Sequence, residues 1–210
     1  MRDFVCESCR EAYELKSKKG KLGRELPDGA YETMLNRLRS DTNPNLFVLS
    51  YDARSSSVTD LLLMPKHFFT AEVIKPRKPL SPTARRAGWK GCNIIVEALP
   101  ASGKTTLIRD RVIRPKHEVL SAWMATTFLR ANARGDARGW LINVMRCIEK
   151  IGSKDFSLED LYRFERHLGT NYPENKHIKE KIRQQLQALR DNGYLTFKGR
   201  GRYKVTLESR

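Results

Sequence analysis

The C-terminal part of the chain constrains the fold more tightly than any other. In "NKHIKEKIRQQLQALRDNGY", Ile178, Ile182, Leu186 and Leu189 recur at the helical period and share one face, with Lys179, Arg183, Gln184 and Gln187 around it. Asn192-Gly193 ends that helix. The next stretch, "YLTFKGRGRYKVTL", switches to alternation of period two around a basic, glycine-rich tip, Lys198 to Arg202, which predicts a hairpin. Upstream, "GWLINVMRCIEKI" and "SLEDLYRFERHL" predict two further helices, the second opened by Ser157 and Asp160 in capping-box spacing. Three helices followed by a hairpin is the order of a winged helix.

The chain has 210 residues, 40% of them hydrophobic, which allows one medium domain and a small one. In "DGAYETMLNRLRS", Tyr31, Met34, Leu35 and Leu38 form a helical stripe. "NLFVLSY" and "VTDLLLMP" are apolar runs around the polar cluster "DARSSS" and predict paired strands, and "NIIVEAL" predicts another. The proline-rich basic stretch from Lys75 to Asn93 is expected to be a long surface loop. "ANARGDAR", Ala131 to Arg138, has the small and polar character of a linker, so the expected domains are residues 1–132 and 133–210.

A formal charge of +16 attracts a polyanion, and nucleic acid is the first candidate partner. An acidic membrane surface competes, but no apolar run approaches the roughly 18 residues that a membrane span needs. "MRDFVCESC" lacks the apolar stretch of a signal peptide, so the chain is expected to be cytoplasmic, with its four cysteines reduced.

The chemistry concentrates in "DFVCESCREAYELKSKKG". If Cys6 to Cys9 is a four-residue turn, Asp3 faces Ala12 across an antiparallel pair and lies on the side that carries Glu14 and Lys16, while Tyr13 and Leu15 point into the core. Two carboxylates on one face, roughly 7–8 Å apart as diagonal neighbours, can share a hard cation such as Mg²⁺. That cation would polarise a phosphodiester and a bound water, and Lys16 would offset charge growing on the phosphoryl oxygens. The competing reading of Glu-x-Lys in "ELKSKKGK" is a solvated basic edge. Cys6-Glu-Ser-Cys9 is one half of a tetrahedral zinc site, since two thiolates three positions apart in a tight turn reach one ion. Cys147 is expected in a helix core and Cys92 in a sheet edge. "EALPASGKTTL" imitates a phosphate-binding loop, but Ala98 stands where the first glycine belongs and Pro100 removes a donor, so no nucleotide cofactor is expected.

The stretches "ELKSKKG", "DGAYETMLNR", "NPNLFVLSY", "RKPLSPTARRAGWKGCNI", "FSLEDLYRFE" and "HIKEKIRQQLQALRDNGYLTFKGRGRY" cover almost the whole chain and resemble the DpnI-like, methyl-directed type II restriction endonucleases. The resemblance implies an α/β restriction-endonuclease-like (PD-(D/E)xK) domain with a zinc-binding element, followed by a small winged-helix domain. It implies cleavage of double-stranded DNA at GATC when the adenine is methylated. By motif, Asp3, Glu14 and Lys16 would be catalytic, Asp3, Glu14 and Leu15 would hold Mg²⁺ or Mn²⁺, and Cys6 and Cys9 would hold structural zinc. Arg85, Arg86 and Trp89 fall in the segment that resembles a DNA-facing loop, where the arginines would hold phosphate and Trp89 would meet methyl groups; a core tryptophan is the alternative for Trp89. His177, Lys179, Lys181 and Arg183 would enter the major groove, and Lys198, Arg200 and Arg202 would grip the backbone from the wing, against the alternative of solubility charge. The resemblance also calls for an upstream cysteine pair and more sequence before the aspartate. The chain is therefore expected to be N-terminally truncated, with two of four zinc ligands. It is expected to act as a monomer. A non-catalytic reader of methylated DNA is the rival expectation.

Overall fold

The computed structural model describes residues 3–131 and 135–206, and it divides into two compact units, Met1–Trp123 and Met124–Arg210. The expected domain boundary between residues 132 and 133 lies outside the described residues.

The first unit runs β1 (Phe4–Val5), β2 (Ala12–Lys19), β3 (Glu25–Ala30), α1 (Tyr31–Arg39), β4 (Asn45–Asp52), β5 (Ser57–Met64), β6 (Ile74–Pro76), β7 (Gly91–Ile95), β8 (Thr105–Arg109) and β9 (Val112–Ile113), with α2 (Lys116–Met124) at its end. Six strands pair in the order β1-β2-β4-β5-β8-β9, and three form a second sheet, β3-β7-β6. Among the described residues only β2 and β4 pair in parallel, which requires a crossover; β3 and α1 supply it. That excursion places β3 of the second sheet near β2 of the first. Leu46, Val48, Met64, Phe68, Phe69, Ile74 and Ile94 are buried in the core.

The opening hairpin differs from its expected register. Phe4 pairs with Tyr13 and Val5 with Ala12, so one further step brings Asp3 level with Glu14 rather than Ala12. The turn is longer than four residues because Cys6 N–H donates to Glu11 O and Arg10, at φ 57°, folds back to Cys6 O. A shift of two preserves the face, so Asp3 keeps to the side of Glu14 and Lys16. The expectation of a buried Leu15 fails: it is 46% exposed, and Tyr13 is half-buried in a stack with Phe4 and Phe47 instead of in the core. β2 has its apolar side outward and its charged side inward, against the usual pattern. Buried Asn45 anchors the hairpin, accepting from Lys66 N–H at 2.9 Å and donating to Ala12 O at 3.3 Å.

The basic stretch after Lys75 is not a plain loop. β6 pairs with β7, and Leu80 N–H reaches Trp89 O at 2.9 Å, so the segment is a hairpin arm; Pro76 is tolerated because β6 is an edge strand. Cys92 is buried in the middle strand β7, not at an edge. The strand expected over "NIIVEAL" stops at Ile95 and gives way to a 3₁₀ turn at Val96–Ala98.

The second unit runs α3 (Phe128–Ala131), α4 (Gly135–Ile151), β10 (Asp155–Ser157), α5 (Leu158–Tyr162), α6 (Glu165–Asn171), α7 (Ile178–Asp191), β11 (Leu195–Gly199) and β12 (Arg202–Val205), with its sheet ordered β10-β12-β11. This is a winged helix whose short first strand, β10, no alternation announces. Gly135 to Arg138, expected in a linker, form the first turn of α4. The Ser157–Asp160 capping box forms as expected, but the helix it opens breaks between Tyr162 and Glu165. Ile178, Ile182, Leu186 and Leu189 are all buried on α7, and Cys147 is buried on α4. No described helix is long and apolar enough to cross a membrane.

Candidate functional site

The two-residue strand β1 leaves the backbone N–H of Leu15 without a ladder partner, and the side chain of Asp3 takes it, with Oδ2 accepting at 2.7 Å. One residue on either side, Glu14 and Lys16 project to the opposite side of β2 from Leu15. Lys16 Nζ donates to Glu14 Oε1 at 2.8 Å and to Asp28 Oδ1 at 3.1 Å. The structure thus brings Asp3, Glu14 and Lys16 to one short stretch of sheet edge and adds a residue that no spacing singled out. Asp28 sits on β3, twelve residues beyond Lys16, and reaches the site only through the crossover between sheets.

Burial works against the Lys16 ammonium, but the hydrogen bond to Glu14 and the charges of Asp28 and Glu14 outweigh it and hold its pKa above the ordinary lysine value. It is a fixed cation. Behind Glu14 and Asp28 lies a cavity of about 20 Å³, lined also by Met34, Arg37, Asn43 and Leu46, with room for a single water. The buried Asn43 Oδ1 has no hydrogen-bond partner there.

Among the described residues no three His, Cys, Asp or Glu side chains are grouped to hold a metal ion. Magnesium asks for less, since one or two carboxylates with waters and substrate phosphates complete its octahedron. Asp3 and Glu14 carry hard oxygen donors of the kind such an ion takes. The Leu15 side chain points away and is apolar, so only its main-chain carbonyl could contribute.

Cys6 and Cys9, the expected half of a zinc site, are free thiols in the turn between β1 and β2, Cys9 exposed and Cys6 half-buried. The backbone N–H of Cys9, then its side chain, then the N–H of Ser8 point at the Cys6 sulfur and hold that thiol below its ordinary pKa. Two thiolates do not complete a tetrahedron, and the other cysteines lie elsewhere: burial pushes Cys92 and Cys147 each up to about 11. At neutral pH, iodoacetamide is therefore expected to label Cys6 and Cys9 on the folded protein and to reach Cys92 and Cys147 only after denaturation, as peptide mass spectrometry would report.

The arm between β6 and β7 is almost wholly exposed and carries Arg85 and Arg86. Trp89 is half-buried, with the Arg86 guanidinium 4.8 Å and the Arg77 guanidinium 5.7 Å from its ring centre. No pattern in the sequence marks Arg77. The guanidinium lies over Gly91, so a Cβ there would require the Arg77 side chain to move.

In the second unit, His177 is exposed at the start of α7, and its backbone N–H is held by Asn175 Oδ1. Lys181 is half-buried. Lys179 and Arg183 are tied down: Lys179 pairs with Glu165 at 3.4 Å and lies over the Tyr162 ring, while Arg183 donates to Tyr162 Oη at 2.9 Å and pairs with Glu180. On the wing, Lys198, Arg200 and Arg202 are all exposed.

The segment that imitates a phosphate loop leads through a 3₁₀ turn, Ala101–Gly103, into strand β8 and not into a helix. Gly103 serves packing: a Cβ there would come within 3.0 Å of the Phe68 ring. Gly103→Val is expected to destabilise the protein by about 1–3 kcal/mol through overpacking, visible as a lowered unfolding midpoint.

A sheet unit with an acid and lysine rim, together with a winged helix bearing a basic wing, defines a two-module protein built to act on DNA. Residues 1–132 match the family model described as DpnI, the Dam-replacing family, and residues 136–205 match its Dam-replacing HTH domain. The chain belongs to the DpnI family of restriction endonucleases.

Proposed function

We propose that the protein is an endonuclease of the PD-(D/E)xK type that hydrolyses double-stranded DNA at adenine-methylated GATC sites with Mg²⁺ or Mn²⁺, acting as a monomer. The nuclease module would be residues 1–132 and the winged helix residues 133–210. The observation that carries this reading is the Lys16 ammonium held between two carboxylates beside Asp3 at a sheet edge, in a chain of this family and this charge.

Asp3 and Glu14, with the Leu15 carbonyl, would hold the divalent ion, which supplies charge to polarise the scissile phosphate and its attacking water. Lys16 stays protonated and would stabilise the negative charge that develops on the phosphoryl oxygens. Arg85 and Arg86 on the arm would hold phosphate, and Trp89 would lie against the groove. His177, Lys179, Lys181 and Arg183 on α7 would face base edges, while Lys198, Arg200 and Arg202 position the wing on the backbone.

The rival reading is a reader of methylated DNA without cleavage. One observation favours it: Asp3 is exposed and is followed by a strand of only two residues. Incubating methylated and unmethylated GATC plasmid with the protein and Mg²⁺ decides between them. Linearisation of the methylated plasmid alone supports the endonuclease; a gel shift of methylated DNA without cutting supports the reader.

A further inference from the structure

Lys16 has two carboxylate partners of different origin. Side chains two apart on a strand share a face, so the contact with Glu14 needs nothing beyond β2 itself. The contact with Asp28 exists only because the fold brings the second sheet against the first. Asp28 is also held in place, since its Oδ1 accepts from Gly29 N–H at 2.7 Å and its strand pairs with β7. The side chains of Lys16, Glu14 and Asp28 are 20%, 16% and 15% exposed, so none is free to leave for bulk water at no cost.

We propose that Asp28 is a positioning residue that keeps Lys16 in the candidate site by giving its ammonium a counter-charge when Glu14 turns to a divalent cation. The inference rests on the reading of Glu14 as a ligand of that cation. Without metal, Lys16 neutralises Glu14 and occupies the charge that the ion would satisfy. An ion on a Glu14 oxygen would draw on the charge that holds the ammonium at 2.8 Å and set a repelling dication beside it. A lysine with no other carboxylate would either hold Glu14 against the metal or swing out of the site. Asp28 removes both outcomes, because its Oδ1, 3.1 Å from the ammonium, holds Lys16 independently of Glu14.

The test is a double-mutant cycle on Mn²⁺ affinity, measured on the full chain without DNA by the loss of the free-ion electron paramagnetic resonance signal. Asp28→Asn keeps the shape but leaves Lys16 to Glu14 alone, so Mn²⁺ should bind about tenfold more weakly. In a Lys16→Met background the competition is gone, and adding Asp28→Asn should change the affinity by less than about twofold. Asp28→Glu should recover most of the lost affinity, and matched circular dichroism melts check that each variant is folded. An equal loss in both backgrounds would mean that Asp28 acts on the ion itself, as a ligand or through its charge, and would overturn the proposal, as would unchanged affinity in the single variant. Wild-type protein that binds no Mn²⁺ sinks the metal reading and this inference together. Wild-type protein that binds Mn²⁺ and shows the coupling, but does not cut methylated plasmid, sinks the endonuclease reading alone.

Discussion

Lys16→Ala is expected to lower cleavage of methylated plasmid by about 10³-fold while methylated DNA is still shifted with nearly the wild-type affinity. The large first effect follows from geometry: Nζ is the cation fixed at 2.8 Å from Glu14 and 3.1 Å from Asp28, and an alanine leaves nothing that reaches the same point. The small second effect follows from charge, since one unit is removed from a net +16 and both the arm and the wing are untouched. Some stability is lost too. Glu14 and Asp28 are left facing each other without their cation, at a cost of about 1–3 kcal/mol. A melt therefore accompanies the assay, which is run well below the variant's midpoint. The pH dependence has a definite sign. Because the folded protein holds the Lys16 pKa above the ordinary 10.5, the stability this pairing contributes is complete at neutral pH, and it is lost only as pH rises through the folded value. Cleavage within tenfold of wild type would take Lys16 out of the active centre.

The elements legible in the sequence are those whose signal is local. Alternation along "AYELKSKK" places Glu14 and Lys16 on one face, and parity preserves the place of Asp3 even though the turn is longer than four residues. The difference in length has a physical source: N–H groups turned toward a cysteine sulfur and a left-handed Arg10 extend the turn, and no hydropathy pattern encodes them. Leu15 misleads because an apolar side chain suggests burial, whereas the face it occupies at the sheet edge is the open one. Asp28 and Arg77 are not legible. One depends on a crossover between sheets and the other on a hairpin arm across the β6–β7 pairing, and neither tertiary approach leaves a periodic trace. The helix expected from Leu158 onward breaks into α5 and α6, although its capping box is evident from two residues.

The triple variant Lys198→Ala, Arg200→Gly, Arg202→Ala is expected to weaken DNA binding by roughly 10²-fold at physiological salt and to flatten the slope of log affinity against log salt by about 0.9 for each phosphate that the wing no longer neutralises. The tip is built to hold its charges still. Gly199, Arg200 and Gly201 have φ of 86°, 49° and 71°, a tight left-handed turn, and Leu158 N–H fastens it by donating to Gly201 O at 2.8 Å. Arg200 is the strained member, because a side chain disfavours that backbone, so a glycine there relieves strain instead of adding it. The variant should consequently melt no lower than wild type, which separates a weakened grip on DNA from a damaged fold. Lys179 and Arg183 offer a contrast: each is committed to Tyr162 and a glutamate, and binding DNA through them would first cost those partners. Lys179→Ala alone is accordingly the weaker perturbation of affinity. If fluorescence anisotropy on a short methylated duplex gave the triple variant a wild-type salt slope, the wing would be solubility charge and the DNA grip of the second unit would have to reside on α7.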